Sequence, residues 1–521
     1  MNTTEFLNIT SLIVPDRTAI VFDGKRFSFQ ELEERVKRLA NALAGMGVGA
    51  GDRIATMQVN CNENIETYFA AAKLDAVYVP LNFRSRPEEI EYMINDSKPK
   101  VLITGERYVS MVDEIKPDLT SVDGFVVLDD ASAEGWESYE HLLSVSSDED
   151  FYPTGDEDDL TMVMFTAGTT GSPKGVMLSH DSFASYILAN VSPPELESEE
   201  KNILTVPLYH IAGIQAVMAA IYGGRTLIIQ RQFEPVEWMA LVQEERVNRA
   251  MMVPTMLKML MDNQEFEKFD LSTLEVITYG AAPMPLEVIK RAISKFPGTF
   301  FINAFGQTET AATITMLPPE DHVLEGSEEE IEKKLNRLTS IGKPLSDVDV
   351  RIVNEDGGDV NVGETGEIVA QGPRLMKGYW NQQEATAEAL RGGWLYTGDL
   401  GYFDEDGYIF LSGRAKDFIK RAGEMVSPEE VEQVLHSHPS IDEAAIIGVP
   451  DIDWGERVRA IVVAKIGATI DEEEVMAYCR DRMASFKKPE SVVVVEELPR
   501  NPLGKVLKRV LREEFSYPLE N

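Results

Sequence analysis

The chain has 521 residues, with 88 acidic side chains against 49 Lys and Arg, a formal net charge of −39 with His neutral. Hydrophobic residues at 44% and charged ones at 26% supply ample material for a core, which excludes disorder of the whole, and the length predicts about three domain-sized units. Charge this negative repels phosphate backbones and anionic membranes, so neither a nucleic-acid partner nor membrane insertion is expected; a halophilic adaptation would give the same acidic excess.

The first residues, Met1 to Phe6, lack the basic start and apolar run of a leader, and no stretch reaches the roughly 18 uncharged apolar residues of a membrane helix. Cys61 and Cys479 are too few for a disulfide framework and fit a reducing, cytoplasmic setting as ordinary buried thiols. Ala19 to Phe22 and Lys25 to Phe27 flank Asp23-Gly24, a pair suited to the positive φ angles of a tight hairpin. A helix should follow at once: Ser28 and Glu31 form a capping box, Leu32, Val36, Leu39 and Leu43 share one face, and Gly45, Gly47 and Gly49 end it. Apolar runs at Ile54 to Val59, Ala76 to Val79, Val101 to Thr104, Gly124 to Leu128, Thr161 to Phe165 and Thr226 to Gln230 alternate with helical patterns, which implies parallel sheets covered by helices. The acidic stretches Asp148 to Asp150, Asp156 to Asp159 and Glu328 to Glu330 are expected to be solvated loops or helix starts. From Ile341 short strands with turns at Glu355-Asp356-Gly357-Gly358 and Asp404-Glu405-Asp406-Gly407 predict a smaller antiparallel β module, and a βα-rich segment runs from about Phe418 to the end.

The segment Thr166-Ala167-Gly168-Thr169-Thr170-Gly171-Ser172-Pro173-Lys174-Gly175 directly follows an apolar strand. Its three glycines admit a ligand close to the backbone, its three Thr hydroxyls and several N–H groups suit phosphate oxygens, and Lys174 adds positive charge. Pro173 stands where a Walker A loop needs its second glycine, which disfavours a P-loop NTPase. The segment resembles the phosphate loop of the adenylate-forming superfamily of acyl-CoA synthetases, amino-acid adenylation domains and luciferases. Further motifs follow in that family's order: Pro207-Leu208-Tyr209-His210, Tyr279-Gly280-Ala281-Ala282-Pro283, Asn303-Ala304-Phe305-Gly306-Gln307-Thr308-Glu309-Thr310, Tyr396-Thr397-Gly398-Asp399, Gly413-Arg414-Ala415-Lys416-Asp417 and Asn501-Pro502-Leu503-Gly504-Lys505.

The resemblance implies a carboxylate attacking the α-phosphate of ATP to give acyl-AMP and pyrophosphate, then displacement of AMP by the thiol of CoA. No protein nucleophile is needed, so catalysis rests on positioning and on neutralising phosphate charge. By the same resemblance Thr166 and Glu309 would help hold Mg²⁺, Asp399 and Arg414 would hold the ribose, and Gly280, Ala281 and Ala282 would leave an adenine slot. Phe305 stands where the family often has Tyr, which would keep the stacking and lacks the hydroxyl; Gly306, Gln307 and Thr308 would complete the nucleotide loop. His210 would border the acyl carboxylate, Lys505 would bridge carboxylate and α-phosphate, and Lys420 and Gly423 would serve acyl and CoA binding. The implied architecture is α/β: an N-terminal domain over 1–412 with helix-covered, mostly parallel sheets plus the β module, a hinge over 413–417 centred on Lys416, and a small mobile α+β domain over 418–521. Charge along the chain agrees with an anionic ligand. Between Ser485 and Arg512 seven basic residues face three acidic ones, net +4, and Gly413 to Arg421 carries net +3, although a solvated basic helix gives the same count.

The expected function is therefore acid:CoA ligation, with a small-molecule carboxylic acid, ATP and CoA as partners and a homodimer compatible with it. The competing reading is a stand-alone adenylating module that delivers to a carrier protein. Amino-acid activators place an Asp where this chain reads Tyr209-His210-Ile211-Ala212, and none is present. Candidate pocket segments, Tyr209 to Gln215, Met251 to Met256 and Tyr279 to Pro283, are apolar and leave medium- or long-chain fatty, aryl and alicyclic acids all open.

Overall fold

Short β-branched runs alternating with amphipathic helices build two mainly parallel sheets whose strands interleave along the chain, and two mainly antiparallel sheets from the C-terminal part. The computed structural model describes residues 1–128, 133–166, 173–414, 417–421, 424–451, 454–480, 482–484, 486–501 and 504–517. The fold is a large N-terminal α/β domain with a smaller C-terminal domain. Among the described residues no helix is long and apolar enough to cross a membrane.

The predicted hairpin joins strands Thr18–Phe22 and Lys25–Ser28, with φ of 50° at Asp23 and 76° at Gly24. Helix Phe29–Gly45 starts at the capping box, Ser28 Oγ accepting from the Glu31 amide. Its Leu32, Val36, Leu39 and Leu43 are buried in the largest apolar cluster with Phe6, Tyr68 and Met218. Each such side chain contributes about 1.5–3 kcal/mol on burial, so an Asp at Val36 would break this face.

The first large sheet orders its nine strands as Lys343–Pro344, Ala312–Leu317, Phe300–Gln307, Val276–Gly280, Arg249–Met252, Lys201–Leu204, Thr226–Ile229, Thr18–Phe22 and Lys25–Ser28. Its six central strands are parallel, and antiparallel pairings close its edges. The second has eight strands, parallel from Leu160–Thr166 through Val77–Pro80, Arg53–Met57, Val101–Thr104 and Gly124–Val127 to Glu137–Ser138, with Lys174–Ser179 and Gly378–Tyr379 added antiparallel at one edge. In such sheets ligands collect beyond the carboxyl ends of the strands, where Gly280 and Gln307 lie. The β module pairs Asp349–Val353, Gly366–Gln371, Trp394–Phe403, Leu390–Arg391 and Ile409–Arg414, the last strand running into the predicted hinge. The C-terminal sheet is centred on the long hairpin Ile441–Asp451 and Gly455–Ala464.

Folding changes the picture of charge at Asp150 and in the basic segments near the C-terminus. The acidic stretch near residue 150 is not simply solvated: Asp150 pairs with Lys73 at 2.6 Å, and that lysine is only 2% exposed. Asp156 to Asp159 are exposed loop as foreseen, Asp158 reaching Lys377 at 2.7 Å on that surface, and Glu328 to Glu330 open helix Glu328–Arg337, also as foreseen. The basic segments near the C-terminus are also largely neutralised by carboxylates remote in sequence. Lys508 pairs with Glu432 at 2.8 Å, Arg500 with Glu443 at 2.9 Å, Lys487 with Glu430 at 2.7 Å, and Arg421 with Glu490. A residue count along the chain missed these partners because folding, not sequence, brings the opposite charges together.

Candidate active site

Three side chains predicted to touch the nucleotide meet between the first sheet and the β module. Asp399 on strand Trp394–Phe403 is buried; its Oδ1 pairs with Arg414 Nε at 2.7 Å and its Oδ2 accepts from Gln307 Nε2 at 2.6 Å. Gln307 Nε2 also donates to the Thr397 carbonyl at 2.9 Å. Asp399 and Arg414 are register partners, so the sheet itself sets their pairing. Each carboxylate oxygen has a second lone pair, which leaves capacity for two hydroxyl donors from a sugar.

The glycines beside this cluster have packing reasons. A Cβ on Gly280 would overlap the Ala304 carbonyl of the neighbouring strand, and one on Gly306 would overlap the carbonyl of Ala312. The small residues of this edge are therefore demanded by close strand approach, independently of any ring lying over them. Ala281 adopts a left-handed φ of 65° and is exposed, and Ala282 beside it is half-buried. Phe305 is half-buried and packs against two apolar clusters. The turn Thr308–Thr310 is held by Gln307 N–H donating to Thr310 Oγ1 at 2.9 Å.

Thr166 and Lys174 are paired at the end of the hairpin Leu160–Thr166 and Lys174–Ser179, and Thr166 Oγ1 lies 3.4 Å from the Lys174 carbonyl. The cradle thus bridges two antiparallel strands instead of a strand and a helix. Ala167, Gly168, Thr169, Thr170 and Gly171 lie outside the described residues, as do Lys416 and Gly423. Lys174 Nζ stands 4.9 Å from the centre of the Tyr379 ring, whose hydroxyl donates to Glu309 Oε1 at 3.0 Å. Burial, reinforced by Glu309, pushes the Tyr379 phenol upward, so it remains a donor. Sequence reasoning missed Tyr379: it belongs to no charged or Gly-rich pattern, and only the short strand Gly378–Tyr379 alongside Val176 and Met177 brings it here.

His210 caps the start of helix Ile211–Tyr222; its Nε2 is buried without a hydrogen-bond partner. Burial, with Arg84 nearby, lowers its pKa to about 3, so the imidazole is neutral at physiological pH. The loop carrying it is clamped by Asn60, which accepts from the Leu208 amide at 2.9 Å and donates to the Val206 carbonyl at 3.2 Å. This buried Asn, also missed, links the carboxyl ends of the two large sheets. Of the predicted pocket methionines, Met252 and Met256 instead face the core with Trp238 and Leu257, and Tyr279 is fully buried against His322. Strand alternation leaves Met251 on the opposite face, half-buried.

Gly504 has a φ of 74°, and an added Cβ there would overlap Thr255 at the start of helix Pro254–Asp262. The turn bearing Lys505 therefore docks on the first large sheet's side of the molecule. Lys505 N–H donates to Asn501 Oδ1 at 2.9 Å, and the Asn501 amide donates to the Lys505 carbonyl at 2.8 Å, which closes the turn. Lys258 to Asp442 at 3.2 Å is a second contact across the same junction. Lys420 stands apart: its amide donates to Glu456 at 2.7 Å within the C-terminal sheet, and its side chain is exposed.

Comparison with known proteins defines the class. A family model described as AMP-binding enzyme matches residues 13–380, and one described as AMP-binding enzyme C-terminal domain matches residues 430–505. The chain belongs to the AMP-binding enzyme family of the adenylate-forming superfamily, as an AMP-forming acyl-CoA synthetase. It is similar to an indoleacetate–CoA ligase of Aromatoleum aromaticum, 34% identical over 98% of each chain, and to a feruloyl-CoA synthase of an Amycolatopsis species, 36% identical over 96% of each. Among solved structures it is similar to ATP-bound MatB from Rhodopseudomonas palustris, with a TM-score of 0.87 and 31% identity over 99% of each chain.

Proposed function

We propose that this enzyme activates a small carboxylic acid with ATP to an acyl-AMP and pyrophosphate, then transfers the acyl group to the thiol of CoA with release of AMP. The observation that carries the reading is the joint placement of the Asp399, Gln307 and Arg414 cluster at one sheet edge and the Lys505 turn docked through Gly504 on Thr255. Asp399 would take the ribose hydroxyls, its own position locked by Arg414. Lys505 would place positive charge between the carboxylate and the α-phosphate, lowering the barrier where charge develops. Neutral His210 would donate to the acid's carboxylate without forming an ion pair, which holds the acid in place and leaves its oxygen nucleophilic.

Thr166 and Glu309 offer a hydroxyl and a carboxylate, the hard oxygen donors that suit Mg²⁺. Among the described residues no group of three or more His, Cys, Asp or Glu is poised around a metal. When bound, the ion would neutralise phosphate charge. Tyr379 orients Glu309 for that role and shields Lys174.

The C-terminal domain, from about residue 418, would rotate about the 413–417 segment after adenylation, carrying Lys505 away and admitting CoA beside Lys420 and Gly423. Two buried free thiols support a cytoplasmic setting. The test is carboxylate-dependent ATP–pyrophosphate exchange across fatty, aryl and alicyclic acids, repeated with CoA. Exchange followed by thioester supports the reading; exchange without thioester favours delivery to a carrier protein, and no exchange with any acid overturns it.

A further inference from the structure

The loop that carries His210 is built across a seam. Strand Lys201–Leu204 before it and helix Ile211–Tyr222 after it belong to the first large sheet and its covering layer. Tyr209 instead packs its ring on Phe83, centroids 5.3 Å apart, within the apolar cluster of the second sheet. The His210 ring centre lies 4.4 Å from that of Tyr209, so the place of the imidazole depends on how the two sheets are joined here.

Asn60 joins them. It stands three residues past strand Arg53–Met57 of the second sheet, just before helix Asn62–Lys73, and is 2% exposed. Its Oδ1 accepts from the Leu208 amide at 2.9 Å, and its Nδ2 donates to the carbonyls of Val206 at 3.2 Å and Gln230 at 3.3 Å. Its own amide donates to the Arg231 carbonyl at 3.2 Å. Val206, Leu208 and Gln230 are all buried, so one short side chain with an acceptor and two donors satisfies three backbone groups that water does not reach. An ionised Asp donates nothing and a Leu does neither. From the other side Gly213 closes the loop: a Cβ there would overlap the Pro207 carbonyl, which already accepts from the His210 amide at 3.0 Å. The loop is thus held between Asn60 and its own helix.

Resting on the ligase reading above, we infer that Asn60 is a positioning residue for the acid's carboxylate: it acts through His210, fixing the imidazole at the seam so that the unpartnered Nε2 meets the acid in one orientation. Without this clamp the loop parts from the second sheet and water reaches the imidazole. The ring then loses both its direction and the burial that keeps it neutral.

The test uses Asn60→Ala, with Asn60→Ser as a milder variant should the first fold poorly, in ATP–pyrophosphate exchange driven by octanoate, cinnamate and cyclohexanecarboxylate. The kcat/KM for the acid should fall about tenfold or more while the KM for ATP stays within about twofold. Combining Asn60→Ala with His210→Ala should cost no more than His210→Ala alone, because a residue that acts through His210 has nothing left to position. A third readout needs no substrate. With ring-labelled histidine, the His210 signal, identified by its absence from His210→Gln, should stay neutral down to pH 5 in the wild type and titrate toward the ordinary 6.5 in the Asn60 variant. Parallel rises in the KM for acid and for ATP, multiplying losses in the double variant, or a His210 signal that stays neutral in Asn60→Ala would overturn the assignment. Absence of exchange with every acid in the wild type would sink the ligase reading, and the histidine titration would then still show whether Asn60 holds His210.

Discussion

The two regions that carry the proposed chemistry are built in opposite ways. Around Asp399 the functional side chains are set by strand register and by glycines that no other residue can replace, so the geometry exists before any ligand arrives. Around Lys505 the side chain sits on a tight turn, docked on the rest of the molecule through Gly504 against Thr255 and through Lys258 to Asp442, while its base is braced within the C-terminal domain by Lys508 to Glu432 and tied to the 413–417 segment by Arg512 to Asp417. A group needed for the whole cycle benefits from a rigid sheet; one needed for half of it benefits from a self-contained unit that can leave.

The sharpest test of that contrast is Lys505→Ala. Acyl-AMP formation should fall by about 10²-fold or more, whereas thioester formation from supplied acyl-AMP and CoA should fall much less. Equal losses in the two half-reactions would show that the turn does not leave. On the rigid side, Gly306→Ala must displace the strand bearing Ala312 and should destabilise the enzyme by about 2–3 kcal/mol in denaturant unfolding, with nucleotide binding lost alongside. A fully stable variant would mean that the edge yields. Asp399→Ala should weaken ATP binding by about 1–3 kcal/mol with little change in turnover at saturating ATP, since ribose contacts are shared by ground and transition states. An unchanged KM for ATP would remove Asp399 from the ribose site.

Tyr379→Phe keeps the ring beneath Lys174 and deletes only the hydroxyl donated to Glu309. A loss of about 1 kcal/mol is expected, read as about a fivefold slower exchange and a higher Mg²⁺ requirement. The smallest effect is a slope. Burial lowers His180 and His322 to about 4, below the ordinary 6.5 of an unfolded chain, so the unfolded state binds more protons between those values. The contribution of these two histidines should be level above about pH 6.5 and decline as pH falls toward 4, so the unfolding midpoint of His322→Gln relative to wild type should rise as pH falls through that window.

The sequence by itself determined the hairpin at Asp23-Gly24, the capped helix after Ser28, the parallel character of the sheets, the β module and the order of motifs that identified the family. These depend on contacts between residues near one another in the chain: turn dihedrals, a cap three residues long, periods of two or 3.6. Only the tertiary structure decided the rest. The carboxylates that neutralise Lys508, Arg500 and Arg421, the Tyr379 hydroxyl on Glu309, the Asn60 clamp on the His210 loop and the burial of Met252 all join residues far apart in sequence. Strand order and domain docking choose those neighbours, and no local pattern encodes which side chain will lie opposite another once the sheets have closed.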